Sequence, residues 1–135
     1  MMMVLVDTSV WSFALRRENR NLSPARLSEL ITSFSVVMIG PVRQELLTGI
    51  ANEEKFTDLK NKLRAFDDFP VTTNDYETAA HFKNICRKNG VQGSNTDFLI
   101  CAVSYNNGFS IYTYDNDFYG YSKHLPIELF QDNTD

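Results

Sequence analysis

Cysteine is nearly missing from this chain: two in 135 residues, Cys86 and Cys101. Two are too few for a disulfide framework, and both fall in helix-like segments, where they read as small buried hydrophobes. Long apolar runs are missing too, and without about 18 consecutive apolar residues there is no membrane-spanning helix. The apolar start ends at Asp7, too short for a signal-peptide core and with no basic region before it. The expected location is therefore cytoplasmic, with three candidate starts at Met1, Met2 and Met3. An excess of positive charge is absent: 13 Lys and Arg stand against 17 Asp and Glu, a net charge of −4. That excludes nucleic-acid binding driven by bulk positive charge, but not an enzyme whose acids are gathered in one pocket. Arg16, Arg17 and Arg20 are a local exception and read as a solvated helix end. The two histidines, His81 and His124, are isolated and lack zinc-ligand spacing. There is no Gly-rich phosphate loop, no Ser–His–Asp order, no repeat and no linker. What remains is a composition of ordinary globular type, 43% hydrophobic, which fits one domain over residues 1–135.

Short apolar strands alternate with amphipathic helices along the chain. Strands are expected at Met3–Val6, Val36–Ile39, Phe69–Val71 and Phe109–Thr113, with a fifth at Ile127–Phe130. Helices are expected at Thr8–Arg17, at Leu22–Phe34 with Pro24 as first helical residue after Ser23, at Pro41–Ile50, Asn52–Phe66 and Asp75–Asn89, and at Thr96–Tyr105 capped by Asn95. Gln131–Asp135 is a polar tail. Strands that are apolar throughout, rather than alternately, belong to a parallel sheet covered on both faces. The fold class is α/β, a three-layer α/β/α sandwich around a mostly parallel sheet, in which ligands bind at the carboxyl ends of the strands.

Four acids are placed by this scheme at, or facing, that edge. Asp7 follows the first strand directly and Asp115 comes two residues after the fourth. Glu45 shares a helix face with Val42, Leu46 and Gly49, which makes it an inward carboxylate. Asp97 opens an almost wholly apolar helix. Each has an ordinary explanation, as a strand-end acid, a helix cap, or an acid favoured by a helix N-terminus. Together they are harder to dismiss: two carboxylates about 5 Å apart repel by about 3 kcal/mol at an effective dielectric near 20. A cation would hold them, and hard oxygen donors suit Mg²⁺ or Mn²⁺. Acids holding such ions are one way in which phosphodiesters are hydrolysed.

With these residues placed, the chain resembles the PIN-domain family, and more closely the VapC-type toxin ribonucleases of toxin–antitoxin pairs. The motifs that carry the resemblance are "VLVDTSVW" with Asp7, "VRQELLTG" with Glu45, "NTDFLICAVSYNNG" with Asp97 and "IYTYDNDF" with Thr113, Asp115 and Asp117. They stand in order and span almost the whole chain. The resemblance implies a PIN-like fold and Mg²⁺ or Mn²⁺ bound by Asp7, Glu45, Asp97 and Asp115, with Asp117 as an accessory acid. It implies hydroxyls at Thr8, Ser9 and Thr113 standing behind the acids, and single-stranded or looped RNA as substrate. It also implies a small antitoxin laid over the site, and a homodimer. Two departures, the polar "GVQGSNTD" before Asp97 and Pro41 where a small hydroxyl residue is expected, bear on loop shape and touch no acid.

Other readings compete with it. A catalytically inactive scaffold of the same fold, binding RNA or protein, has no reason to keep a repulsive set of acids. A phospho-receiver needs an acid beside Asp7, and a haloacid dehalogenase-type phosphohydrolase needs Asp at position 9, where this chain has Ser9. The aromatics Tyr112, Tyr114, Phe118 and Tyr119 read mainly as packing, with room for one or two to stack on an unpaired base. An apolar groove near Trp11 and the Leu22–Phe34 helix is the expected docking place for an antitoxin helix.

Overall fold

The computed structural model describes residues 2–15 and 25–131. The Arg16, Arg17 and Arg20 cluster, the helix start at Ser23 and Pro24, and residues 132–135 of the polar tail lie outside the described residues. The sheet is built on β1 (Val4–Val6), all of whose side chains are buried. It is flanked by β2 (Val36–Val37) and β3 (Ser110–Tyr112), in the order β2-β1-β3 and parallel throughout. Leu5 stands between Val37 and Ile111 in register.

Two further segments touch the outer edges by single parallel bridges, Met38 to Asp68 and Ile111 to Leu129. These replace the expected third and fifth strands. Phe69 donates its N–H to the Met38 carbonyl at 2.7 Å, but Pro70 has no N–H with which to continue a ladder. Pro126 stands just before the other segment, which makes two bonds: Ile111 N–H to Glu128 O and Phe130 N–H to Ile111 O.

The helices are α1 (Thr8–Leu15), α2 (Ala25–Thr32), α3 (Gly40–Leu47), α4 (Glu53–Leu63), α5 (Thr73–Lys88), α6 (Asn95–Asn107) and α7 (Asp117–Ser122). From β1 through β2 to the Asp68 edge the chain moves one way across the sheet. It then crosses back to β3 and on to the Leu129 edge. Right-handed crossovers therefore place α1–α4 on one face and α5–α7 on the other. The packing agrees, with α1 against α3, α3 against α4, and α5 against α6. The result is a three-layer α/β/α arrangement whose direction reverses between β1 and β3. Such a switch point opens a crevice at the strands' carboxyl ends.

Local chemistry fixes the helix ends. Thr72 and Asp75 form a capping box on α5, and Asp75, almost fully buried, also accepts from Asn106 Nδ2 at 2.8 Å, which ties α5 to the end of α6. α6 is capped by Ser94, whose hydroxyl accepts from Asp97 N–H at 3.1 Å, and not by Asn95 as expected. The Asn95 side chain instead accepts from Lys83 Nζ at 2.7 Å. α6 ends at Gly108, which takes the left-handed conformation at φ 72 that glycine tolerates. Arg43 joins α3 to the far end of α4, pairing with Asp68 at 2.9 Å and donating to the carbonyls of Leu63 and Phe66.

Several expected inward residues point elsewhere. Phe34 is 87% exposed with φ 57, because α2 stops at Thr32 before its stripe would reach it. Phe56 is exposed, and Leu63 is the buried residue of α4. Trp11 is buried against Phe66 at 5.0 Å in an edge-on contact, so its side chain belongs to the core and does not line a docking groove. Leu15 is exposed at the end of α1. Cys86 and Cys101 are buried and unbridged, as expected. No helix among the described residues is long and apolar enough to cross a membrane.

Candidate metal centre

The carboxyl ends of β1 and β3 are strapped together by hydroxyls. Asp7 leaves β1 and donates its N–H to Tyr112 O at 2.9 Å. Its side chain is buried, and Oδ2 accepts from both Ser9 Oγ and Thr113 Oγ1 at 2.8 Å. Ser9 Oγ in turn accepts from Tyr114 N–H, and Thr113 Oγ1 from Asp115 N–H. One buried carboxylate thus organises the first turn of α1 and the loop after β3. Burial raises the Asp7 pKa, against the lowering effect of the Ser9 and Thr113 hydroxyls.

Asp97 enters this place from the other layer. As the third residue of α6 it is fixed by the Ser94 cap, and its Oδ2 accepts from Tyr121 Oη at 2.6 Å. One carboxylate oxygen from each of Asp97, Asp115 and Asp117 lies within 4.8 Å of the other two. The Asp97 pKa is raised, first by burial and then by the charges of Asp7 and Asp115, while the Tyr121 and Ser94 hydroxyls pull it down. Tyr121 is itself raised, by burial and then by its bond to Asp97, so its hydroxyl stays a protonated donor.

The aspartates after β3 combine two roles. Asp115 Oδ1 accepts from Asp117 N–H at 2.9 Å, the local turn chemistry that starts α7, and the same two side chains meet Asp97. The sequence pattern assigns no element between the strand ending at Thr113 and the one expected at Ile127, so α7 is an addition from the structure. Its signal was the pair Phe118 and Tyr121, both buried and three residues apart, with Gly120 between them. Tyr112 and Phe118 pack inside, while Tyr114 and Tyr119 are exposed.

Glu45 differs from its expected setting. It lies on the exposed flank of α3, because Val42 and Leu46 take the inward face and Glu45 falls on their shoulder. Its Oε1 accepts from Thr8 Oγ1 at 2.6 Å, so its connection to the Asp7 turn runs through Thr8. Neither Asp7 nor Glu45 belongs to the group of acids within 4.8 Å; buried Asp7 acts on Asp97 through its charge, and exposed Glu45 is tied to the Asp7 turn through Thr8. His81 and His124 are exposed.

Residues 4–123 of the sequence match the family profile described as PIN domain. No curated protein matches the chain. Among solved structures, the fold is similar to that of FitAcB from Neisseria gonorrhoeae (TM-score 0.77, 21% identity, covering 96% of this chain and 98% of that one). VapBC2 from Rickettsia felis, bound to a DNA fragment from its promoter, has a TM-score of 0.78 at 15% identity, covering 96% and 98%. VapBC-5 from Mycobacterium tuberculosis, a member of the VapBC family of toxin–antitoxin systems, has a TM-score of 0.69 at 18% identity, covering 97% and 99%.

Proposed function

The chain belongs to the PIN domain family, and from that premise we propose that it is a metal-dependent endoribonuclease, the VapC-type toxin of a toxin–antitoxin pair. The reading is carried by the meeting of Asp97, Asp115 and Asp117 at a topological switch point, with buried Asp7 acting on Asp97 through its charge. At 4.8 Å, two ionised carboxylates repel by about 3 kcal/mol at an effective dielectric near 20. The ion pairs among the described residues, Arg26 with Glu29 and Arg43 with Asp68, include none of these acids. The donors are hard oxygens with no sulfur or imidazole among them, which fits Mg²⁺ or Mn²⁺. Asp7, Asp97 and Asp115 would hold the ion, with Asp117 as accessory ligand, and Glu45 would bind it or orient the attacking water. When bound, such an ion supplies Lewis acidity, lowering the pKa of water and offsetting charge on phosphate oxygens.

The chain's own residues do the positioning. Ser9 and Thr113 fix Asp7 from two sides, and Thr113 also seats the Asp115 backbone. Thr8 holds the Glu45 carboxylate toward the Asp7 turn. The exposed rings of Tyr114 and Tyr119, on the segment that carries Asp115 and Asp117, offer faces for unpaired bases. The substrate is single-stranded or looped RNA, cut by in-line hydrolysis. A cytoplasmic homodimer of single-domain chains, held inactive by a small antitoxin, completes the proposal. Support for the antitoxin comes from the VapBC complexes that share the fold. The test is Mn²⁺ titration and RNA cleavage with Asp7→Asn and Asp97→Asn. Loss of saturable binding and of metal-dependent cleavage is expected. Cleavage that survives both substitutions would overturn the assignment, and a wild type with no saturable site would favour an inactive scaffold.

A further inference from the structure

Tyr121 is fully buried, and its hydroxyl donates to Asp97 Oδ2 at 2.6 Å. Its ring is wedged between Phe98 at 4.8 Å and Phe118 at 5.1 Å, so the hydroxyl cannot swing away without opening the core. On its other side lies the backbone of Gly93. A Cβ built there would stand 2.1 Å from Tyr121 Oη, 2.7 Å from its Cζ and 2.9 Å from Phe98 Cε2. Gly93 is not among the glycines with positive φ, so the backbone conformation does not call for glycine. What the missing side chain provides is the space in which the tyrosine reaches Asp97.

The choice of donor has a physical logic. Asp97 is partly buried beside other acids and needs a hydrogen-bond partner for its charged form. A lysine or arginine would supply one, but its charge would compete with a divalent cation for the same carboxylate. A neutral hydroxyl supports the charge and leaves it available. α7 also carries Asp117 at its start, so one short helix aligns an acid at one end and the hydroxyl that holds Asp97 at the other.

We propose that Tyr121 is the positioning residue of the metal centre, that its hydroxyl fixes the Asp97 carboxylate for the ion, and that Gly93 is the clearance that admits it. The inference rests on the reading that Asp97 is a metal ligand. Residues that hold a ligand from behind typically account for about 10- to 100-fold in metal affinity. The test is Mn²⁺ titration of the full chain, following free Mn²⁺ by electron paramagnetic resonance, with Tyr121→Phe and, as control, Tyr105→Phe on the exposed face of α6. Tyr121→Phe keeps the packed ring. It is expected to weaken Mn²⁺ binding about 10- to 100-fold, with a melting temperature in chelator lowered by about 4–7 °C for the lost hydrogen bond and the protein still folded, while Tyr105→Phe changes neither. Gly93→Ala is expected to weaken binding to a similar extent. The two losses should not add in the double variant, because both act through one hydrogen bond. If wild type binds and Tyr121→Phe binds equally well, the positioning role is refuted. A loss of affinity matched by the unfolding of the apo-protein would refute it in favour of a packing role. A wild type with no saturable Mn²⁺ site would instead overturn the metal reading on which the inference rests.

Discussion

Replacing Asp97 by Asn should stabilise the metal-free protein. The substitution removes the charge that faces Asp115 and Asp117, whose oxygens lie within 4.8 Å. Each ionised pair at that distance costs about 3 kcal/mol at a dielectric near 20 and about 1 kcal/mol in water. Asp97 and Asp115 are partly buried and Asp117 is exposed, so the relief lies between these limits, at about 2–4 kcal/mol in total. Two terms oppose it. An acid in the first turn of α6 is worth about 0.3–1 kcal/mol against the helix dipole. The Tyr121 bond, no longer made to a charge, loses about 1 kcal/mol. The net gain is about 1–2 kcal/mol, which for a chain of 135 residues raises the melting temperature by about 4–7 °C. Thermal unfolding followed by circular dichroism in excess chelator measures it. Mn²⁺ at 100 times its dissociation constant should then stabilise the wild type by about 2.7 kcal/mol and the variant far less, reversing their order. A variant that melts below the wild type in chelator would refute the repulsion argument. Equal stabilisation of both proteins by Mn²⁺ would refute Asp97 as a ligand.

The same acids set a pH dependence. The folded-state pKa values of Asp7 and Asp97 lie above their ordinary value of 3.8, first through burial, so the native state binds more protons than the unfolded one between the two. Stability in chelator should therefore fall as pH rises from 3.8 through the raised values, and the advantage of Asp97→Asn should vanish below 3.8, as chemical denaturation across pH would show. Thr113→Val removes one donor to buried Asp7 and the acceptor for Asp115 N–H. It should cost about 1–3 kcal/mol in urea unfolding and abolish cleavage, with Thr113→Ser restoring both. Asp75→Ala breaks the α5 capping box and removes the nearer acceptor of Asn106 Nδ2, leaving the longer bond to Thr78 Oγ1. It should cost about 2–3 kcal/mol while leaving Mn²⁺ affinity unchanged.

Much of this architecture is legible in the sequence because it depends on local pattern. Unbroken apolar triplets such as Val4-Leu5-Val6 mark buried parallel strands, and acids just past them, Asp7 and Asp115, mark the carboxyl edge. What was not legible depends on tertiary choices. Periodicity put Glu45 on the Val42 face, but a shoulder position can turn outward once Val42 and Leu46 are seated. Leu22–Phe34 was expected to keep its stripe through Phe34, where the chain instead turns into a left-handed residue. Phe69–Val71 has strand-like side chains, yet Pro70 removes the donor the ladder needs. Tyr121 is the most consequential omission. Its tie to Asp97 spans 24 residues and passes beside a glycine whose role appears only when the two are brought together in space. α7 itself, with Gly120 in its middle, has little helical signal of its own.

Total RNA incubated with the purified protein in Mg²⁺, in Mn²⁺ and in chelator, wild type beside Asp97→Asn, tests the central claim most directly. The account predicts discrete fragments that need both the metal and Asp97. Fragments that persist in chelator, or in the Asn variant, would contradict it.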